Sequence, residues 1–124
     1  MPIEKKELPL YTYIRYTRGE PQDVDRFKIE LCNLGTYLST MKDILIDLAE
    51  SRNLTSPEIN AIVRLVRNCD NTPRVVRVIT NAEVKRSVDS LNLRKLPHIV
   101  FYDSLAVFQE ELKRSQAKSV NKGL

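Results

Sequence analysis

Residues 74–102 read RVVRVITNAEVKRSVDSLNLRKLPHIVFY and contain two apolar runs separated by a polar segment with helical spacing. Residues 74–80 are rich in β-branched side chains and have the length of a strand, and residues 98–102 are almost continuously apolar. Between these runs, Val84, Val88 and Leu91 recur at the spacing of one helix face. The stretch therefore predicts strand, helix and strand, and its last strand is expected to be central because both faces are apolar.

The segments before this stretch extend the same α/β pattern. Residues 8–17 combine aromatic and β-branched side chains and predict a first strand. Thr55 and Glu58 have the spacing of a capping box, and Pro57 suits a first helical turn because proline has no backbone donor. We therefore expect a helix over about 57–68, and the sequence belongs to the α/β class.

A long apolar pattern occupies the region between the first strand and that helix. Apolar residues recur three and four positions apart at Val24, Phe27, Leu31, Leu34, Leu38, Met41, Leu45 and Leu48. This spacing predicts one helix over about 22–51, and Gly35 marks where a kink or a break into two helices would fall. Ile29 and Cys32 beside the pattern would widen its buried arc.

The pattern has two interpretations. The helix could pack on its own domain, or it could exceed what a small core requires and offer its apolar side chains to another protein. On the second interpretation, the candidate interaction residues are Phe27, Leu31, Leu34, Leu38, Met41 and Leu45.

The segment after residue 102 also allows two structures. A hairpin turn at Asp103 and Ser104 would lead to a short edge strand over 105–109 and a helix from Glu110, which is the structure we favour. Alternatively, the pair Asp103-Ser104 would cap a helix that carries Leu105, Phe108 and Leu112. In either case we expect one α/β domain over residues 1–114 and a polar, basic tail over residues 115–124.

The charges divide the chain into two unlike parts. Residues 20–58 carry eight acidic and four basic side chains, whereas residues 64–98 carry eight basic and three acidic ones. The basic part could attract nucleic acid if its side chains shared one face. The candidate nucleic-acid residues are Arg64, Arg67, Arg74, Arg77, Lys85, Arg86, Arg94 and Lys95. Arg74 and Arg77 have opposite strand parity, however, and no aromatic side chain is interleaved for base stacking.

The cysteines and the histidine suggest no reaction chemistry. Cys32 and Cys69 both fall within apolar helical patterns and are expected to be reduced core thiols, which fits a reducing compartment such as the cytoplasm. One histidine, His98, and two separated cysteines do not form a metal site, and we expect a structural role for His98. The sequence also lacks a glycine-rich phosphate loop and an apolar run of membrane-spanning length, so we expect no cofactor, no small-molecule substrate and no membrane span.

The order of elements and the segment Leu93-Arg94-Lys95-Leu96-Pro97 before the last strand resemble the thioredoxin-like superfamily. The resemblance implies a three- to four-stranded sheet and a cis bond between Leu96 and Pro97. The predicted helices over about 22–51 and 57–68 enlarge the helical part beyond what that superfamily normally has. The Cys-x-x-Cys redox motif of that superfamily is missing, because the corresponding place reads Thr17-Arg18-Gly19-Glu20-Pro21-Gln22. Without a thiolate at a helix start, thiol redox chemistry is the least favoured function.

These observations together predict a protein that is not an enzyme. The expected role is a structural subunit that docks through its long amphipathic helix and charged faces onto other protein subunits of a larger assembly. The candidate assemblies are a virion, a ribonucleoprotein or another multisubunit particle, located in the cytoplasm or assembled there. The alternative is a nucleic-acid-binding module that uses the basic residues between Arg64 and Lys95.

Overall fold

The computed structural model describes residues 3–9, 11–36, 42–69 and 72–122. These residues form a five-stranded sheet, four α-helices and a single 3₁₀ turn at Leu93–Lys95. The strands are β1 (Ile3–Glu7), β2 (Tyr11–Tyr16), β3 (Asp43–Asp47), β4 (Val76–Ile79) and β5 (Ile99–Tyr102). The helices are α1 (Asp23–Thr36), α2 (Ser56–Asn68), α3 (Ala82–Ser90) and α4 (Leu105–Lys122). The α/β class predicted from the sequence is confirmed.

The strands lie side by side in the order in which the chain makes them, from β1 to β5. β1 and β2 form an antiparallel hairpin, and each later strand pairs with its predecessor in parallel. A parallel pair needs a crossover connection, and α1, α2 and α3 supply the three crossovers. In the register, Ile14 pairs with Ile46 and Ile46 with Val78, so one row of apolar side chains crosses the centre of the sheet.

Each face of the sheet packs against its own helices. The larger core joins alternate strand residues such as Ile14, Ile46 and Val78 to the inner faces of α1, α2 and α3. A smaller cluster on the opposite face joins Leu45, Ile79 and Tyr102 to Phe108 of α4. The strands follow the order of the chain, and the three crossover helices all lie on one face of the sheet. The outer surfaces of α1, α2 and α3 therefore form one layer.

Short polar side chains begin the helices as the sequence predicts. The Thr55 backbone N–H donates to the Glu58 carboxylate at 2.6 Å at the start of α2, which confirms the capping box. The side chain of Asn81 caps α3 by accepting from the Val84 backbone N–H at 2.9 Å. Ser104 accepts from the Val107 N–H at 3.2 Å at the start of α4. The favoured strand over 105–109 is therefore wrong, and the capped-helix alternative is correct.

The predicted long helix over about 22–51 is wrong. α1 ends at Thr36, one residue after Gly35, and residues 43–47 form the parallel strand β3. Leu45 and Leu48 therefore belong to a strand and the loop after it, and Leu38 and Met41 lie outside the described residues. A continuously apolar strand such as Ile44-Leu45-Ile46 satisfies helical spacing as readily as strand spacing, so the pattern continued across two different elements.

Three further predictions about the sheet and its last strand are corrected by the structure. This strand lies at the edge of the sheet instead of its centre, and Val100 on it is exposed. The Leu96–Pro97 bond is trans, contrary to the thioredoxin-like expectation. The sheet also has five strands, because β1 and β3 were not predicted. The division into residues 1–114 and a tail over 115–124 stays a prediction, although α4 extends to Lys122.

Candidate functional site

The predicted protein-interaction residues lie in the core of the chain. Phe27, Leu31 and Leu34 of α1 point into the larger core, and Leu45 of β3 lies in the smaller cluster. None of these four side chains is more than 7 % exposed. The prediction that the chain docks through a long amphipathic helix is therefore wrong, because the apolar side chains assigned to the partner are buried against the chain's own sheet. The other two candidates, Leu38 and Met41, lie outside the described residues.

The predicted basic residues do not form one face. Arg74 is buried and donates to the backbone carbonyls of Leu34 and Lys42 at 3.2 and 3.0 Å. Arg77 lies on the opposite side of the sheet, where it donates to the Tyr102 hydroxyl at 2.7 Å. Ion pairs with Asp103 hold two more bases, Lys85 and Arg94. The four that remain exposed without a described ion pair are Arg64 and Arg67 on α2, Arg86 on α3 and Lys95 in the 3₁₀ turn. Arg74 and Arg77 therefore do not belong to an exposed basic face, and the eight bases together do not form one.

An open groove runs between the outer surfaces of α1 and α2. It encloses a volume of about 460 Å³. Its lining residues are Lys28, Ile29, Leu31, Cys32, Pro57, Asn60, Ala61, Arg64, Leu65 and Asn68. Ile29 is 59 % exposed on the rim, whereas Leu31 and Leu65 are buried in the floor. The groove thus combines an apolar floor with an exposed aliphatic side chain on its rim.

A second depression of about 530 Å³ continues this groove towards the start of both helices. The two share Lys28 and Pro57, and the second is also lined by the loop from Arg18 to Pro21. β2 leads into α1 and β3 leads into α2, so both strands end at the edge of the sheet where this depression lies. We call the groove and this depression together the α1–α2 surface.

A buried polar network lies at the end of the α1–α2 surface where both helices begin. Glu58 in the first turn of α2 is fully buried and accepts hydrogen bonds from the Tyr16 hydroxyl and the Arg18 guanidinium. The Thr55 hydroxyl donates to the same carboxylate at 2.9 Å. Burial, followed by the contact with Glu58, raises the pKa of the Tyr16 hydroxyl. The Tyr16 ring stacks on Phe27 of α1, with centroids 4.1 Å apart, so the network connects β2, α1 and α2.

Two further side chains hold the loops at this edge. The Asp23 carboxylate accepts from the backbone N–H groups of Gly19 and Glu20 at 2.8 Å each, and these bonds lower its pKa. The Asn81 amide donates to the carbonyls of Ala49 and Ser51 at 2.9 and 2.7 Å. The loops that border the α1–α2 surface are therefore held in one conformation by side-chain hydrogen bonds.

Sequence reasoning missed this surface because it assigned Ile29 and Cys32 to the core. Both side chains are exposed instead, whereas Cys69 is buried as expected. Ile29 follows the buried Phe27 by two positions, which places the two on different faces of α1. This two-residue spacing indicates that Ile29 lies away from the core. It was overlooked because a wide arc of the helix was assumed to be buried.

The described residues contain neither a cluster of metal-ligating side chains nor a helix that could span a membrane. No three His, Cys, Asp or Glu side chains among them cluster closely enough to hold a metal. No helix in the described part of the chain is both long and apolar enough to cross a bilayer. His98 is partly buried, has a φ of 63°, and accepts from the Val76 N–H through its backbone carbonyl at 2.8 Å. Its structural role stays a prediction.

Comparison with known proteins identifies the fold. No family model and no curated protein sequence matches the chain. A crystal structure of a candidate anti-sigma factor antagonist from Thermotoga maritima superposes with a TM-score of 0.66 at 16 % identity, covering 90 % of this chain and 94 % of that one. An NMR structure of the same Thermotoga protein gives a TM-score of 0.63 at 17 % identity, covering 89 % of this chain and 87 % of that one. The thioredoxin-like resemblance is therefore wrong, and the chain has a mixed α/β fold similar to that of the Thermotoga protein.

Proposed function

We propose that this chain is a regulatory protein without catalytic activity that binds an anti-sigma factor through the α1–α2 surface. The fold likeness to a candidate anti-sigma factor antagonist supports this class of function and replaces the earlier assignment to a virion, ribonucleoprotein or other particle. It also disfavours the nucleic-acid alternative, which had rested on a basic face that the fold does not assemble. The partner class is a proposal because the likeness lies in the fold.

The observation that carries the proposal is the exposure of Ile29 beside an apolar groove. An aliphatic side chain that is 59 % exposed gains free energy when a partner removes it from water, at about 25 cal/mol per Å² of apolar surface. The loops beside the groove are already held by hydrogen bonds from Asp23 and Asn81. A partner therefore spends little of its binding free energy on ordering these loops.

The experiment compares two exposed aliphatic positions. The full chain is mixed with purified anti-sigma factors encoded in the same genome, and Kd is measured by isothermal titration calorimetry. Ile29→Glu should weaken binding at least tenfold, because it places a charge at the apolar contact. Leu91→Glu is the matched control, since Leu91 is 53 % exposed after α3 and away from the groove, and it should leave Kd unchanged. Thermal unfolding checks that both variants remain folded.

Two results would contradict the proposal. One is that none of the anti-sigma factors binds the wild-type chain. The other is that Ile29→Glu and Leu91→Glu bind as tightly as the wild type, which would place the contact on another surface.

A further inference from the structure

We infer that the segment received by the α1–α2 groove is an acidic amphipathic helix of the partner protein. The inference rests on the proposed function, because it assumes a protein partner at this surface. It adds the secondary structure and the charge of the segment that is recognised, and both follow from the groove itself.

The shape of the groove favours a helix. Its α2 wall extends from Pro57 to Asn68, which corresponds to about 16 Å at 1.5 Å per residue, or three helical turns. Both walls are helices, so their backbone N–H and C=O groups are bonded internally and cannot pair with an added strand. Recognition must use side chains, and a helix presents apolar anchors at positions i, i+3, i+4 and i+7 to a groove of this kind.

The floor and rim of the groove provide places for such anchors. Ala61 is a small residue in the middle of the α2 wall, and it lies between the larger Pro57 and Leu65 one turn away on either side. An aliphatic side chain of the partner can enter above Ala61 and contact Ile29 on the opposite rim. This arrangement buries the one strongly exposed aliphatic side chain of α1 in the centre of the contact.

The charges of the groove favour an acidic segment. Lys28 on α1 and Arg64 on α2 line opposite walls, and no acidic side chain is among the described lining residues. Within the described residues neither cation has an ion pair, so both are available to carboxylates of a partner. Glu20 and Asp25 line only the depression above, near the start of α1. Carboxylates on both flanks of the partner helix would therefore meet Lys28 and Arg64.

Two synthetic helical peptides test the inference on the full chain. Both are 18 residues long and carry leucines at i, i+3, i+4 and i+7, with flanking positions filled by Glu in one and by Lys in the other. We expect the Glu peptide to bind at least tenfold more tightly in fluorescence anisotropy. Amide shifts in ¹⁵N NMR spectra should centre on Lys28, Ile29, Cys32 and Arg64.

Charge reversal provides the second arm. The double variant Lys28→Glu with Arg64→Glu should reverse the preference, so that the Lys peptide binds more tightly. Arg86→Glu with Lys95→Glu is the matched control, because it changes the net charge equally at exposed bases outside the groove and should retain the preference for the Glu peptide. Circular dichroism confirms that both double variants are folded.

The inference fails if neither peptide binds, if both bind equally, if the NMR shifts lie outside the groove, or if the control variant reverses the preference as well. Tight binding of an RNA oligonucleotide that Lys28→Glu with Arg64→Glu abolishes would also overturn it in favour of a nucleic-acid groove. The peptide experiments and the anti-sigma factor experiment distinguish the proposed acidic helix from the proposed class of partner. An anti-sigma factor that binds this double variant normally contradicts the acidic helix alone, whereas selective Glu-peptide binding without any anti-sigma factor complex contradicts the partner class alone.

Discussion

Glu58 is a fully buried carboxylate, and its neighbours explain how the fold tolerates it. One carboxylate oxygen accepts from Arg18 and Thr55, and the other accepts from the Tyr16 hydroxyl. A buried charge is strongly unfavourable unless it is paired and hydrogen-bonded, so each donor stabilises the native state more than a comparable bond on the surface would. The sequence identifies Glu58 through its capping-box spacing with Thr55. It cannot identify Tyr16 or Arg18, which are about 40 positions away in the chain.

Replacing Tyr16 with Phe tests this network. The substitution retains the ring that stacks on Phe27 and removes only the hydroxyl group that donates to Glu58. We expect the free energy of unfolding to fall by about 1–3 kcal/mol, because a buried carboxylate loses one of its donors. Urea unfolding at pH 7 measures the change.

The pH dependence of the same variant provides an internal control. The pKa of Tyr16 is raised in the folded state above its ordinary value of 10.0, so the neutral hydroxyl is favoured by folding. Its stabilising effect is complete below pH 10 and decreases as the pH rises from there towards the folded pKa. The difference between wild type and Tyr16→Phe should therefore shrink above pH 10. A constant difference would contradict this account.

At the scale of secondary-structure elements, the start of α1 depends on one acidic side chain. Asp23 bonds backward to the N–H groups of Gly19 and Glu20, which shapes the loop at the upper end of the groove. Asp23 lies in the first turn of α1, so its carboxylate connects the start of this helix to the loop before it. The end of α1 was harder to predict, because apolar spacing continues into β3 and only Gly35 indicates a break.

Asp23→Ala should destabilise the chain in a pH-dependent manner. The folded pKa of Asp23 lies below its ordinary value of 3.8, so the carboxylate stabilises the fold above that pH and loses this effect as the pH falls through the lowered folded value. We expect a lower urea midpoint than wild type at pH 7 and a smaller difference near pH 3. Asp25→Ala is the control, since Asp25 is an exposed acid in the same helical turn and should leave the midpoint nearly unchanged. Equal midpoints for both variants at pH 7 would contradict the role of Asp23.

At the scale of the whole molecule, the α/β class and five correctly placed elements followed from the sequence alone. These are β2, α2, β4, α3 and β5, whose apolar patterns are bounded by polar caps or turns. The order of the strands could not be predicted from the sequence. β1 is charged along most of its length, and β3 lies within the apolar pattern that predicted a helix. The α1–α2 surface could not be predicted without that order, since it exists only where two crossover helices become neighbours.

A shortened chain tests the predicted domain limit. Truncation after Arg114 removes residues 115–124 and retains Phe108 and Leu112, through which α4 packs on the smaller cluster. We expect the shortened chain to unfold cooperatively at a midpoint within a few degrees of the full chain in a thermal scan. Truncation after Ser104 is the comparison and should lower the midpoint strongly, because Leu45, Ile79 and Tyr102 become uncovered. Equal destabilisation by both truncations would place the domain limit beyond residue 114.

The sequential strand order also has a kinetic consequence. Every strand pairs with its immediate predecessor, but the three parallel pairings join residues about 23 to 32 positions apart, such as Ile14 with Ile46, because each closes a loop that contains a crossover helix. The entropy of loop closure is lost before each pairing is gained, so refolding from denaturant should be slower than for a helical protein of this size. A nascent chain can nevertheless add one strand at a time to the growing sheet, because each new strand pairs with the one made just before it.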